Sequence, residues 1–351
     1  MTDLPGAGHV PAPAEGIPWA APDPAVGGRS VGPARYPGTD RPDRRVPVSG
    51  TAVTPGSVPL RPLELGDILD GTFATIRRNP RATLGLSALL VTGQELLVLA
   101  AQALTGGLPT ATFGSGEDTF GLPDLGTAIG FVISAVVGAV LGGMIVVVVS
   151  EDVLGRRTTA GQVWRRVRPR TGALLVAAVL VGVLPYLGLA LLVVPGVLVW
   201  GGWALTTPAL VLEGLGPFRA VRRSWRLVRP AFGRVWAVRA LSVLLGDIMR
   251  LLVAVPFALV ATGSAVLTGA GQGAPLPGYA LALVALGAIV AGTLVEPFVA
   301  GVSALLYVDR RMRAEGLDIV IALAGRGSGP GVDGWWADTA RGVAGAAGVP
   351  A

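Results

Sequence analysis

Apolar and polar positions along this chain separate into long blocks instead of alternating within short ones. Apolar runs extend from Ala82 to Leu104, Gly126 to Val149, Gly172 to Leu212, Val238 to Val266 and Tyr279 to Leu306. Crossing about 30 Å of hydrocarbon takes roughly 20 such residues in a helix. The pattern predicts an all-α, polytopic membrane helix bundle. Before about residue 60 the chain is dense in Pro, Gly and Ala, with scattered charges and no apolar period, a composition that buries too little surface to fold. Residues 1–59 are therefore expected to be a disordered tail, 60–325 the membrane domain, and 326–351 a flexible end carrying Trp335-Trp336.

Charge fixes how the runs divide. Every one of the 28 basic residues is arginine, and most stand in blocks beside the apolar runs. Loops rich in Lys and Arg stay on the cytoplasmic side. The first connection holds Glu117, Asp118 and Asp124 without a basic residue, which suits the outside. The second, Glu151 to Thr171, holds Arg156, Arg157, Arg165, Arg166, Arg168 and Arg170, which suits the inside. The run from Gly172 to Leu212 fits either one long helix or a hairpin. A single crossing would put the next block (Arg219, Arg222, Arg223, Arg226, Arg229, Arg234) outside, so two crossings are expected, over 172–193 and 197–213, turning at Pro195-Gly196. Asp309, Arg310, Arg311 and Arg313 close the last span on the inner side. Six crossings of the plasma membrane, with both termini cytoplasmic, satisfy every loop.

The basic blocks repeat. Trp164-Arg165-Arg166-Val167-Arg168-Pro169 matches Trp225-Arg226-Leu227-Val228-Arg229-Pro230, and a looser version, Phe73 to Pro80, carries Arg77 and Arg78. In each, an aromatic and a β-branched residue three positions on share a helical face, with arginines opposite. That is the pattern of an interfacial helix, ring in the acyl boundary and guanidiniums at the phosphates. The proline is expected to end the helix and send the chain into the bilayer. Three units, each an interfacial helix followed by two spans, result. Arg77, Arg78, Trp164, Arg165, Arg168, Arg222, Arg223, Trp225, Arg226 and Arg229 are the candidate surface for anionic lipid headgroups or a membrane-protein partner. The plainer alternative is that they only anchor topology.

Three stretches resemble a family of bacterial, especially actinobacterial, membrane proteins described as related to the membrane domain of glycerophosphoryl diester phosphodiesterases. They are Arg61-Pro62-Leu63-Glu64-Leu65-Gly66-Asp67-Ile68-Leu69-Asp70-Gly71-Thr72-Phe73, Ala220-Val221-Arg222-Arg223-Ser224-Trp225-Arg226-Leu227-Val228-Arg229, and Leu306 to Asp318 with its Tyr307-Val308-Asp309-Arg310-Arg311 core. The resemblance covers roughly residues 60–325. In the full-length enzymes it implies a separate soluble barrel bearing the catalytic His and metal-binding carboxylates, and no such stretch is present here.

Chemistry is sparse. There is no cysteine, the only histidine is His9, and no P-loop, GxSxG or His/Cys cluster occurs. No catalytic residue, metal site or cofactor is expected, and the chain reads as a non-enzyme. The net charge of +6 sits beside apolar spans, so lipid headgroups, not nucleic acid, are its expected counter-charge. Ionisable residues at membrane depth are functional candidates by default. Here they are Glu95, Asp247, Arg250 and Glu296, with Asp247 and Arg250 spaced to pair on one helix. Gly138, Gly142 and Gly143 permit close helix packing. The leading expectation is a protein that organises lipid or scaffolds a partner. The alternative is a small transporter using Glu95, Glu296 and Asp247.

Overall fold

The computed structural model describes residues 56–59, 61–107, 124–184, 193–269 and 275–317, and all regular elements among them are helical. They are α1 (Leu65–Arg78), α2 (Pro80–Thr105), α3 (Leu125–Val153), α4 (Ala160–Val167), α5 (Thr171–Ala177), α6 (Val193–Gly202), α7 (Thr206–Glu213), α8 (Pro217–Val228), α9 (Phe232–Leu267) and α10 (Gly278–Glu315). Five stretches are long and apolar enough to cross a membrane: Pro80–Thr105, Leu125–Val153, Val194–Glu213, Pro217–Leu267 and Gly278–Glu315. The crossing expected over 172–193 is described only as far as Leu184. There α5 widens into a π turn over Ala178–Val183. Trp335-Trp336 and the tails expected over 326–351 and most of 1–59 lie outside the described residues.

Burial is uneven along the spans. The arginine-rich ends of α3 and α10 are packed solid, with Val146, Val147, Val148 and Val149 against a core that includes Leu305, Leu306, Tyr307 and Val308. Elsewhere large side chains such as Leu89, Leu96, Leu251, Leu252 and Leu259 point outward, as lipid-facing helices require. Ser57 and Val58, expected in the tail, belong to this body: Val58 is fully buried and Ser57 bonds to Thr75 and Asp152. Close approach between helices depends on small residues. A Cβ on Gly301 of α10 would stand 2.7 Å from Cγ2 of Thr72 in α1.

One local expectation is corrected and a second is sharpened. Pro195-Gly196 is not a turn but lies near the start of α6. A proline in the first turn gives up an N–H that has no partner there anyway. The last part of the same run is not one helix either: α6 stops at Gly202, and a tight turn through Trp203 and Leu205 leads into α7.

The arginine-proline repeats are the second. In both copies the α-helix stops just before the Arg-Pro step, at Val167 and Val228, as expected. Both copies tighten into a 3-10 turn, Arg168–Arg170 and Arg229–Ala231, with near-identical backbones at Arg168 (φ −46°, ψ −47°) and Arg229 (φ −46°, ψ −46°). Each arginine N–H bonds to the carbonyl of its tryptophan, Trp164 or Trp225. The chain leaves helical geometry one residue after the proline, at Arg170 (φ −110°) and Ala231 (φ −138°). The first copy differs, because Asn79, before the proline, takes that role (φ −127°, ψ 52°). A residue preceding proline is pushed away from the α region, and Asn79 follows that rule where the two arginines do not.

Candidate functional site

Carboxylates at the arginine-rich ends of the spans organise this face. α3 ends on Glu151 and Asp152, α7 ends on Glu213, and α10 carries Asp309 and Glu315 in its last turns. Buried charge is tolerated only when paired and hydrogen-bonded, and each of these is. Asp152, fully buried, accepts from Thr75 Oγ1 (2.8 Å), Asn79 Nδ2 (3.2 Å) and the Ser57 hydroxyl, with Arg78 Nε at 3.4 Å. Glu151 holds Arg166 and, at 3.3 Å, Arg156. Glu213 accepts Arg223 Nε at 2.9 and 3.0 Å and the Tyr307 hydroxyl. Glu315 completes that cluster by taking Arg223 and, at 2.9 Å, Arg311 Nε. Asp309 accepts the Leu63 N–H at 2.9 Å and Arg313 Nε at 2.8 Å.

These bonds draw together the stretches 61–73, 220–229 and 306–318. Leu63 meets Asp309, Arg223 meets Glu315, and Arg310 Nε donates to the Leu227 carbonyl at 3.1 Å. None of the five carboxylates stood out in the sequence as a site. The available signal was positional: each lies at the end of an apolar run, beside an arginine block.

The candidate surface residues divide into two groups. Arg77, Arg165, Arg168, Arg222, Arg226 and Arg229 are exposed, as are the rings of Trp164 and Trp225 in part. Arg78, by contrast, leans into Asp152, and Arg223 is not a surface residue. Helical spacing explains the second case. Arg223 stands three after Ala220 and four before Leu227, on the buried stripe of α8 that also carries Ser224. The aromatic residues are also part of the packing. Phe73 stacks on Phe298 with centroids 5.1 Å apart, and the Trp225 ring occupies the space a Cβ on Gly202 would need. Between these groups Arg170 lies half-buried beside Gly214, a left-handed helix cap (φ 70°). Burial, then the nearby Arg166, pulls its guanidinium below the ordinary arginine value.

Deeper in the bundle the polar residues pair differently from the sequence expectation. Arg250 does not turn to Asp247. Its Nη2 lies 2.7 Å from Glu296 Oε1 on α10, and Asp247 is exposed. Gly246 makes the reach short, since a Cβ there would stand 2.9 Å from Val299 of α10. Glu95 takes a 3.4 Å bond from its neighbour Gln94. Glu296 lines a cavity of about 290 Å³ with Arg239, Ser303, Gly138, Gly142 and Gly182, whereas Glu95 and Asp247 are not among its lining residues. Arg239 lies over the Trp200 ring at 4.7 Å and donates to the Ala204 carbonyl at 3.4 Å, a group made available by the break after α6. The glycines split accordingly: only Gly143 is tightly packed, 3.1 Å from Leu174 by its Cβ position, while Gly138 and Gly142 form cavity wall.

Among the described residues no group of three or more His, Cys, Asp or Glu is placed to hold a metal ion. No family model matches the chain, and no curated protein or solved structure matches it either.

Proposed function

We propose that this chain is a non-catalytic, multi-pass protein of the bacterial plasma membrane, belonging with the family it resembles, whose arginine-rich end faces the cytoplasm and gathers anionic lipid headgroups. Six crossings, α1, α4 and α8 at the interface, and both termini inside complete this reading. One observation carries it: the division of labour among the arginines. Internal carboxylates engage Arg78, Arg166 and Arg223, which locks the bundle. Arg77, Arg165, Arg168, Arg222, Arg226 and Arg229 remain directed outward beside Trp164 and Trp225. Each basic residue near an anionic bilayer surface contributes about 1 kcal/mol. Six on one face are enough to concentrate acidic lipid around the protein or to dock an acidic partner there.

The test is lipid retention. Purified from mixed phosphatidylglycerol and phosphatidylethanolamine, the protein is expected to enrich the anionic lipid by native mass spectrometry. The triple variant Arg222→Gln, Arg226→Gln, Arg229→Gln is expected to lose most of that enrichment. Equal enrichment in the variant would sink the proposal.

A second reading, transport, is favoured by one observation, the cavity that Glu296 shares with Arg239. Filling it with Gly138→Leu in proteoliposomes abolishes flux of any candidate solute if the cavity is the path. Unchanged flux removes this reading.

A further inference from the structure

We propose that the loop joining α3 to α4 forms a binding pocket for a phosphomonoester group. It rests on the headgroup reading above only in placing this loop at the depth of the lipid phosphates. The pocket has a volume of about 290 Å³ and is walled by Arg156, Arg157, Thr158, Gln162, Arg165 and Arg166, with Glu151 as its one carboxylate. Val147 and Val163 form an apolar floor.

Charge is unbalanced in this space. Glu151 engages Arg166 and Arg156. Arg157 and Arg165 have no carboxylate partner among the described residues, and the pocket lining carries four guanidiniums to one carboxylate. Guanidiniums bind phosphate through paired, charge-assisted hydrogen bonds, with geometry a lone ammonium cannot match. Two neutral donors are also available. The Thr158 hydroxyl is buried without a hydrogen-bond partner, and such a group needs an acceptor. The Gln162 carbonyl oxygen already accepts the Thr159 N–H at 2.9 Å, which leaves its amide NH₂ as the donating end. Donors exceed acceptors throughout the pocket, and a dianionic phosphomonoester, with three terminal oxygens, fits that excess better than a carboxylate or a phosphodiester. Two sources share this chemistry: phosphatidic acid in the inner leaflet and a soluble organic phosphate in the cytoplasm.

The experiment uses the full chain in detergent freed of phospholipid. Glycerol 3-phosphate is titrated by calorimetry, with glycerol as the neutral control, and phosphatidic acid is compared with phosphatidylglycerol by native mass spectrometry. Either phosphomonoester is expected to bind, and the double variant Arg157→Gln, Arg165→Gln to weaken it at least about tenfold, the loss expected when a charged hydrogen bond is removed. Neither residue is in the buried ion network, so the variant is expected to keep the wild-type melting temperature. Thr158→Val is expected to weaken binding by a smaller factor. Binding of glycerol 3-phosphate assigns the soluble source, and binding of phosphatidic acid alone assigns the lipid; both support the pocket. Binding of neither, or equal affinity in the double variant, overturns it. The α8 triple variant separates the two proposals, because it is expected to lose phosphatidylglycerol enrichment while glycerol 3-phosphate still binds.

Discussion

Ser224 closes the break in a helix it does not belong to: its hydroxyl donates to the Gly202 carbonyl at 2.8 Å, and its oxygen accepts the Leu205 N–H at 3.1 Å. Those backbone groups flank the turn between α6 and α7, where the helical ladder is interrupted. A buried N–H or carbonyl without a partner costs about 1–3 kcal/mol. Ser224→Ala is therefore expected to destabilise the protein by about that amount and to speed hydrogen exchange at Leu205. Wild-type exchange at that amide would contradict the assignment.

Glu213 is a heavily engaged carboxylate, taking Arg223 and Tyr307 with its side chain 2% exposed. Removing one partner of a buried ion pair costs about 3–5 kcal/mol. Glu213→Gln is expected in that range by denaturation in mixed micelles. Arg61, whose side chain is 47% exposed in its pair with Asp67, serves as the contrast. Arg61→Gln is expected to change stability by no more than about 1 kcal/mol.

Two glycines of α3 give opposite expectations. At Gly143 a Cβ meets Leu174 at 3.1 Å and Val211 at 3.2 Å, so Gly143→Val overpacks the core and is expected to lower stability by about 1–3 kcal/mol. At Gly138 a Cβ meets nothing within 4 Å. Gly138→Val is expected to leave the melting temperature near the wild-type value.

Asp124 caps the start of α3. The Thr127 hydroxyl donates to it at 2.6 Å and the Thr127 N–H at 3.1 Å, and these bonds hold its carboxyl below the usual aspartate range. A depressed folded value stabilises above the unfolded-state pKa, and that contribution disappears as pH falls through the folded value. Exchange in the first turn of α3 is expected to quicken as pH falls through the acidic range, after correction for intrinsic rates. Asp124→Asn keeps a good cap and is expected to remove this dependence. A persistent dependence in that variant would assign it elsewhere.

The absence of cysteine makes topology directly testable. Gly161→Cys, at the start of α4, and Thr268→Cys, just beyond α9, are expected to react with a membrane-impermeant maleimide from opposite faces of the membrane. Labelling from the same face would overturn the proposed arrangement.

Long-period features were legible in the sequence because one force sets them. Where they are described, the apolar runs found their helices, and the repeated Trp-Arg-x-Val-Arg-Pro blocks took nearly the same backbone twice. What escaped depends on side-chain reach. Arg250 chose Glu296 over Asp247 because Gly246 brings α10 close, and no spacing along α9 reveals that. Pro195-Gly196 reads as a turn in isolation, yet near a helix start the proline disturbs little. Arg223 was different. The apolar stripe through Ala220, Ser224 and Leu227 already placed it inward, but an arginine in an arginine block reads first as solvent-facing.

The bond between Leu63 and Asp309 bridges 246 positions. Its donor emerges from the ribosome before the first span, and its acceptor emerges after the last. Until α10 has entered the bilayer, the Leu63 amide and carbonyl lack the partners supplied by Asp309 and Arg313. The first and last motifs thus act as a clasp that completes the bundle only once synthesis has passed every span. A chain cut short within α10 would insert yet remain unlatched, leaving an exposed polar end for membrane quality control to recognise.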